Sequence, residues 1–154
     1  MKWSAAAYAG IAAGIAATIV EVVLWLAFTD AFPEIFFRDA RFAAAIVMGR
    51  GVLPPAAGFD WRVLLAATLV HFALSVAYGL ILSRLIWRLG MSASLLAGTA
   101  FGLFVFALNM YGFTTVFPWF EATRDLITVA AHLAFGIVAA AVYRALSASS
   151  LALV

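Results

Sequence analysis

Along the chain, polar side chains fall in clumps, and the intervals between the clumps are almost purely apolar. Four of these intervals reach the roughly 20 residues that a helix needs to cross about 30 Å of hydrocarbon. They cover residues 5–28, 61–83, 92–116 and 126–143. Each is assigned as a helix, because lipid cannot satisfy open strand edges and four short strands cannot close a barrel. The expected fold is all-α: an integral membrane four-helix bundle, with residues 1–154 forming a single transmembrane domain.

A fifth apolar piece lies in the first connection. Pro33 suits a first helical turn and Glu34 complements the positive end of the helix dipole. Gly49 and Gly51 stop the helix, and Pro54-Pro55 forces an extended exit. Residues 33–48 number only about 15, too few to span. Phe36, Phe37, Phe42, Ile46 and Val47 give the piece an apolar side, which predicts a short helix lying at the interface or dipping in as a re-entrant segment.

The polar-apolar pattern repeats. Ala9-Gly10-x3-Gly14 precedes Glu21, which follows Gly10 by eleven residues, and Ala97-Gly98-x3-Gly102 precedes Asn109 at the same spacing. Phe32-Pro33 and Phe117-Pro118 close the two segments. The second and fourth spans compare as HFALSVAYGLILSR and HLAFGIVAAAVYR. The bundle therefore reads as two repeated helical hairpins of the same orientation, related by a pseudo-two-fold along the membrane normal. Small residues Ala6, Gly10, Gly14 and Ala17 form a ridge on the first helix that lets another helix approach closely.

The repeat puts four polar residues at one level. With a rise of 1.5 Å per residue, His71 and His132 lie on the order of 10–15 Å below the outer surface, and Glu21 and Asn109, on helices running the other way, reach the same depth. Each would be penalised by lipid, so all four should point inward and meet. Thr68 and Ser75 lie on the face of His71, and Thr128 is one turn from His132. Tyr78 follows Ser75 by a turn, and Tyr111 flanks Asn109.

Composition shows what the solvent must be. The chain is 68% hydrophobic and 10% charged, against about 45–50% and about 25% in a soluble domain. A chain this small has too much surface to hide so apolar a composition, so the lipid bilayer is its main partner. The absence of cysteine excludes disulfides, thiolate metal sites and cysteine nucleophiles. The net charge of +2 is small and scattered, which argues against nucleic acid. The first apolar run outlasts a signal-peptide core, and Met1-Lys2-Trp3 reads as a short cytoplasmic lead. Lys2, Arg84, Arg88 and Arg144 stand without acids in the termini and the second connection. The other two connections mix arginines with Asp30, Glu34, Asp39, Asp60, Glu121 and Asp125. That asymmetry predicts a multi-pass protein of a bacterial inner membrane with both termini cytoplasmic. Trp61 and Trp119 would mark its outer interface, and Trp3 and Trp87 the inner one.

Three chemistries suit the polar layer. Glu21 can carry a proton or bind a cation, with His71 and His132 relaying protons near physiological pH. Alternatively His71 and His132 hold a b-type haem between the hairpins, although only Gly79 and Gly136 would lie beside a porphyrin and no CxxCH is present. A divalent metal on Glu21, His71 and His132 is the third option. Set against all three, one polar residue per helix can simply glue a bundle through hydrogen bonds worth roughly 0.6–2 kcal/mol each, as in an accessory subunit of a larger membrane complex. No nucleophile elbow, phosphate loop or HExxH is present, so an enzyme is not expected.

The segment NMYGFTTVFPWFEATRDLITVAAHLAFG, Asn109 to Gly136, resembles a family of small, uncharacterised bacterial four-helix membrane proteins, some of which carry the label sodium:proline symporter. The resemblance extends over most of the chain. It implies a four-helix membrane fold and carries over no catalytic or ligand residue. Four helices hardly enclose a permeation path, so a transport role implies a homo-oligomer.

Overall fold

The computed structural model describes residues 1–54 and 58–148, so Pro55 of the expected Pro54-Pro55 exit lies outside the described residues. Helices α1 (Trp3–Phe28), α3 (Trp61–Ile86) and α5 (Leu126–Ala148) and the stretch Met91–Thr115 are each long and apolar enough to cross a membrane. A shorter helix, α2 (Glu34–Met48), occupies the first connection, and α4 (Met91–Ala107) is the regular part of the third span. The architecture is an all-α four-helix bundle with no strand among the described residues, the make-up of a small polytopic membrane protein. Asp60 starts α3 by accepting from the backbone N–H groups of Arg62 and Val63 at 2.9 and 3.4 Å, and Asp125 accepts from that of Thr128 at 2.8 Å as α5 begins. Both are carboxylates satisfying first-turn donors. Gly49 ends α2 with φ 81°, a conformation only glycine adopts cheaply.

Helices α1 and α5 share the centre of the bundle. Helix α1 packs closely on both α3 and α5, and α5 also packs on α4, whereas α3 and α4 touch little despite being consecutive. The central contact is built from small residues: Ala5, Ala6, Ala9 and Ala13 on α1 and Ala131, Ala139 and Ala140 on α5 are buried in one cluster. Alanines let the two backbones approach where lipid offers no hydrophobic drive to associate.

The two hairpins use their glycines in the same way. A Cβ at Gly14 would run into His71 and Ser75, and one at Gly10 into Ser75 and Val76; in the second hairpin a Cβ at Gly102 would meet His132, and one at Gly98 would meet Gly136. In each case a glycine pair seats against a histidine and the residue four positions later. The Gly10–Gly14 ridge is thus consumed inside the chain. The outer side of α1 presents Ile11, Ile15, Ile19, Val23 and Leu26, all exposed.

Helix α2 is clamped across one end of the bundle. Ala44 packs on Val63 and Ala67 of α3. The Trp119 indole N–H donates to the Phe42 carbonyl at 3.0 Å, so this tryptophan holds α2. The Phe42 and Phe120 rings meet edge-on at 6.0 Å. The buried Arg41 donates to the carbonyls of Val52 and Gly58, at 3.3 and 3.2 Å, and ties down the connection behind the helix.

The third span departs from the continuous helix expected to residue 116. Regular helix stops at Ala107, followed by a π turn over Leu108–Gly112 and a 3-10 turn over Phe113–Thr115. Competing partners explain the break. Arg124 Nε donates to the Met110 carbonyl at 2.6 Å and its Nη2 to the Thr114 hydroxyl at 2.8 Å. The Thr114 hydroxyl in turn reaches the carbonyls of Met110 and Tyr111, each at 3.2 Å. Backbone groups released from the regular ladder therefore keep partners, which is the condition for breaking a helix in a buried setting.

Candidate functional site

Next to the irregular end of α4 the bundle holds a cavity of about 490 Å³, within the roughly 300–1,000 Å³ range of small-molecule sites. All five helices contribute to its wall, which is mainly hydrocarbon. Glu21 from α1, His71 from α3, Asn109 from the π turn and His132 from α5 all line it. The four polar residues expected at one level thus share one cavity.

Three of the helices are linked through a directed chain of hydrogen bonds. The Tyr78 hydroxyl donates to Asn109 Oδ1 at 2.7 Å, and Asn109 Nδ2 lies 3.3 Å from His132 Nε2. His132 Nδ1 is 2.8 Å from the Thr128 carbonyl. A carbonyl only accepts, so Nδ1 bears the ring proton, and Nε2 of the neutral imidazole receives the Asn109 amide. The π turn aims the Asn109 side chain; such turns recur at functional sites. His71 is held differently: its Nε2 donates to the Gly14 carbonyl at 3.2 Å, with the Thr18 hydroxyl at 3.5 Å. The absence of a side chain at Gly14 lets the imidazole reach that carbonyl.

Glu21 is the exception. It lines the cavity, yet has no hydrogen-bond or ion-pair partner among the described residues. Asp39 and Asp125 add negative potential around it. An ionised carboxylate in such a place needs a neutralising proton or cation.

Of the supporting residues, Ser75, Tyr78 and Thr128 line the cavity, whereas Thr68 and Tyr111 do not. Thr68 is exposed and its hydroxyl donates to its own helix at Leu64. Helix α3 is buried by α2 at Val63 and Ala67 but along Ser75, Gly79 and Ile86 at its other end. Its buried side therefore rotates by about a third of a turn along the helix, leaving Thr68 outside. Tyr111 is exposed, with the Arg124 guanidinium stacked on its ring at 4.5 Å. Asp39 of α2 was not anticipated in the cavity wall. The available signal was its spacing, since Asp39, Ala43 and Ile46 share one helix face (i, i+4, i+7). Arg38 Nε donates to its Oδ1 at 2.7 Å. Burial pushes the Asp39 carboxyl above its ordinary range, and Arg38 offsets only part of that rise.

No group of three or more His, Asp or Glu side chains among the described residues is placed to hold a metal ion, so Glu21, His71 and His132 do not form a ligand set. A bis-histidine haem needs two free ring nitrogens facing one iron. Here both ring nitrogens of His132 are engaged, by Asn109 and the Thr128 carbonyl, and Nε2 of His71 by the Gly14 carbonyl, so the pair as placed does not fit that group. No protein-family model, curated protein or solved structure matches the chain.

Proposed function

We propose that the chain handles protons or cations in a bacterial inner membrane, as a homo-oligomer with both termini on the cytoplasmic side. The observation that carries this reading is Glu21, a carboxyl group at an intramembrane cavity with no partner among the described residues. Intramembrane carboxyl groups are costly, and those that face a cavity mark ion and proton pathways. His71, bonded through Nε2 alone, keeps a second ring nitrogen for proton exchange. The Tyr78–Asn109–His132 chain ties α3 to the π turn and to α5 around the same cavity. The orientation is supported by Lys2, Arg84, Arg88 and Arg144, which no acid accompanies at their end of the bundle. A homo-oligomer is supported by the small number of helices available to enclose a path.

A test is proton and alkali-cation flux into liposomes carrying the purified protein, driven by an imposed membrane potential and read with an enclosed dye. Glu21→Gln is isosteric and should abolish most of the flux. Equal flux in wild type and variant, or none above empty liposomes, refutes the proposal. In that case the second reading stands: a structural subunit whose polar chain serves to join α3, α4 and α5.

A further inference from the structure

Three features of the cavity point to the chemistry of an occupant. First, its charged and acidic groups are of one sign: Glu21 and Asp39 line it, and no lysine or arginine does. Second, most of the remaining wall is apolar, including Phe117, Phe120 and Phe135, with His71, Asn109 and His132 among its few polar groups. Third, it is reached from the side of the bundle. Leu74 of α3 and Phe113 beyond α4 both line it while remaining 41% and 42% exposed, and α3 and α4 make little contact with each other.

These features exclude other occupants. A bare inorganic cation would need a shell of oxygen ligands, and no group of three or more acid or histidine side chains is placed to hold one among the described residues. An anion would meet two carboxyl groups and no lysine or arginine. A purely apolar molecule leaves the carboxyl groups unsatisfied. The remaining fit is a cation that brings its own apolar surface, attracted by aromatic faces as well as by the carboxyl group.

We infer that the cavity binds a lipophilic organic cation, of the aromatic or alkyl ammonium or phosphonium type, which enters from the bilayer between α3 and α4 and replaces a proton on Glu21. One monovalent cation enters and one proton leaves, so the charge of the site is conserved. Glu21 receives the cation, with Asp39 and Asp125 adding negative potential from α2 and the start of α5. Arg38 is already paired with Asp39. The inference rests on the proton- and cation-handling reading and names its substrate class.

The test is equilibrium binding of tetraphenylphosphonium to detergent-purified protein, with proton release followed in weakly buffered solution. Saturable binding with release of close to one proton is expected. Glu21→Gln should weaken binding by about tenfold or more and remove the proton release, while Glu21→Asp, which keeps the charge, should retain both in part. Leu74→Trp, at the mouth, should slow or block binding independently of any charge change. Tetraphenylborate, matched in size and opposite in charge, should not bind. Equal binding of tetraphenylborate, wild-type affinity in Glu21→Gln, or no binding of tetraphenylphosphonium overturns the inference. If the phosphonium fails to bind while Glu21-dependent proton flux persists, only the substrate class is lost. If both fail, the underlying reading is lost as well.

Discussion

Adding one methyl group at Gly98 tests the backbone contact on which the α4–α5 hairpin rests. In an unobstructed helix, Gly→Ala stabilises by about 0.8–1.0 kcal/mol through propensity alone. At Gly98 the new Cβ would lie 2.8 Å from the Ala140 Cβ and would also strike the Gly136 carbonyl, whereas ordinary contacts start at 3.4 Å. Neither obstacle is the tip of a flexible side chain, so the helices themselves must part. Overpacking of this kind costs about 1–3 kcal/mol, and the severity of the clash places Gly98→Ala toward the upper end. After the propensity gain is subtracted, a net loss of about 1–2 kcal/mol is expected. The assay is reversible unfolding in mixed detergent micelles, followed by tryptophan fluorescence. A Cβ at the exposed Gly51 has nothing within 4 Å, so Gly51→Ala should stay within about 0.5 kcal/mol of wild type. If Gly98→Ala is as stable as wild type or more so, the two backbones are not in contact and the packing argument is wrong. The sign of the change decides the matter.

Two other outcomes follow from the site. In a double-mutant cycle, Tyr78→Phe and Asn109→Ala should couple by about 0.6–1.7 kcal/mol, the range for hydrogen bonds between membrane helices; additive losses would mean the 2.7 Å contact between α3 and the π turn contributes nothing. Asp39→Asn should raise the melting temperature at neutral pH. Burial holds the Asp39 carboxyl above its ordinary range, so as pH rises the unfolded chain loses its proton first and stability falls until the folded-state pKa is passed. The advantage of the asparagine variant should therefore vanish below the ordinary aspartate pKa of about 3.9, and a gap that persists or widens in acid contradicts this account.

Much of the candidate site was legible because charge and imidazole are conspicuous in apolar spans. Glu21, His71, Asn109 and His132 stand out for that reason, and the repeat spacing put them at one depth. What the spacing does not report is phase around the helix. Thr68 and Ser75 are seven residues apart and nearly eclipsed on an ideal helix, yet one is exposed and the other buried, because the partner of α3 changes along its length. The sequence leaves Asp39 on a short helix that lies at the interface or dips in, and only the docking of α2 on Val63 and Ala67 puts it in the cavity wall.

By itself the sequence determined the class of protein and its elements. Runs of about 20 apolar residues leave helices as the only structures whose backbone groups are satisfied in lipid, and Asp60, Gly49 and Asp125 mark element ends through local chemistry alone. Tertiary structure decided which faces meet. The Gly10–Gly14 and Gly98–Gly102 ridges suit any close helix, within the chain or in another copy, and only the packed bundle spends them inside each hairpin. The π turn at Asn109 likewise depends on Arg124, a residue outside the helix it interrupts. Helices as uniformly apolar as α1 and α4 carry no polar stripe to point their faces. Their orientation is set by non-local contacts, close backbone approach and competing hydrogen-bond partners, which exist only once the chain has folded.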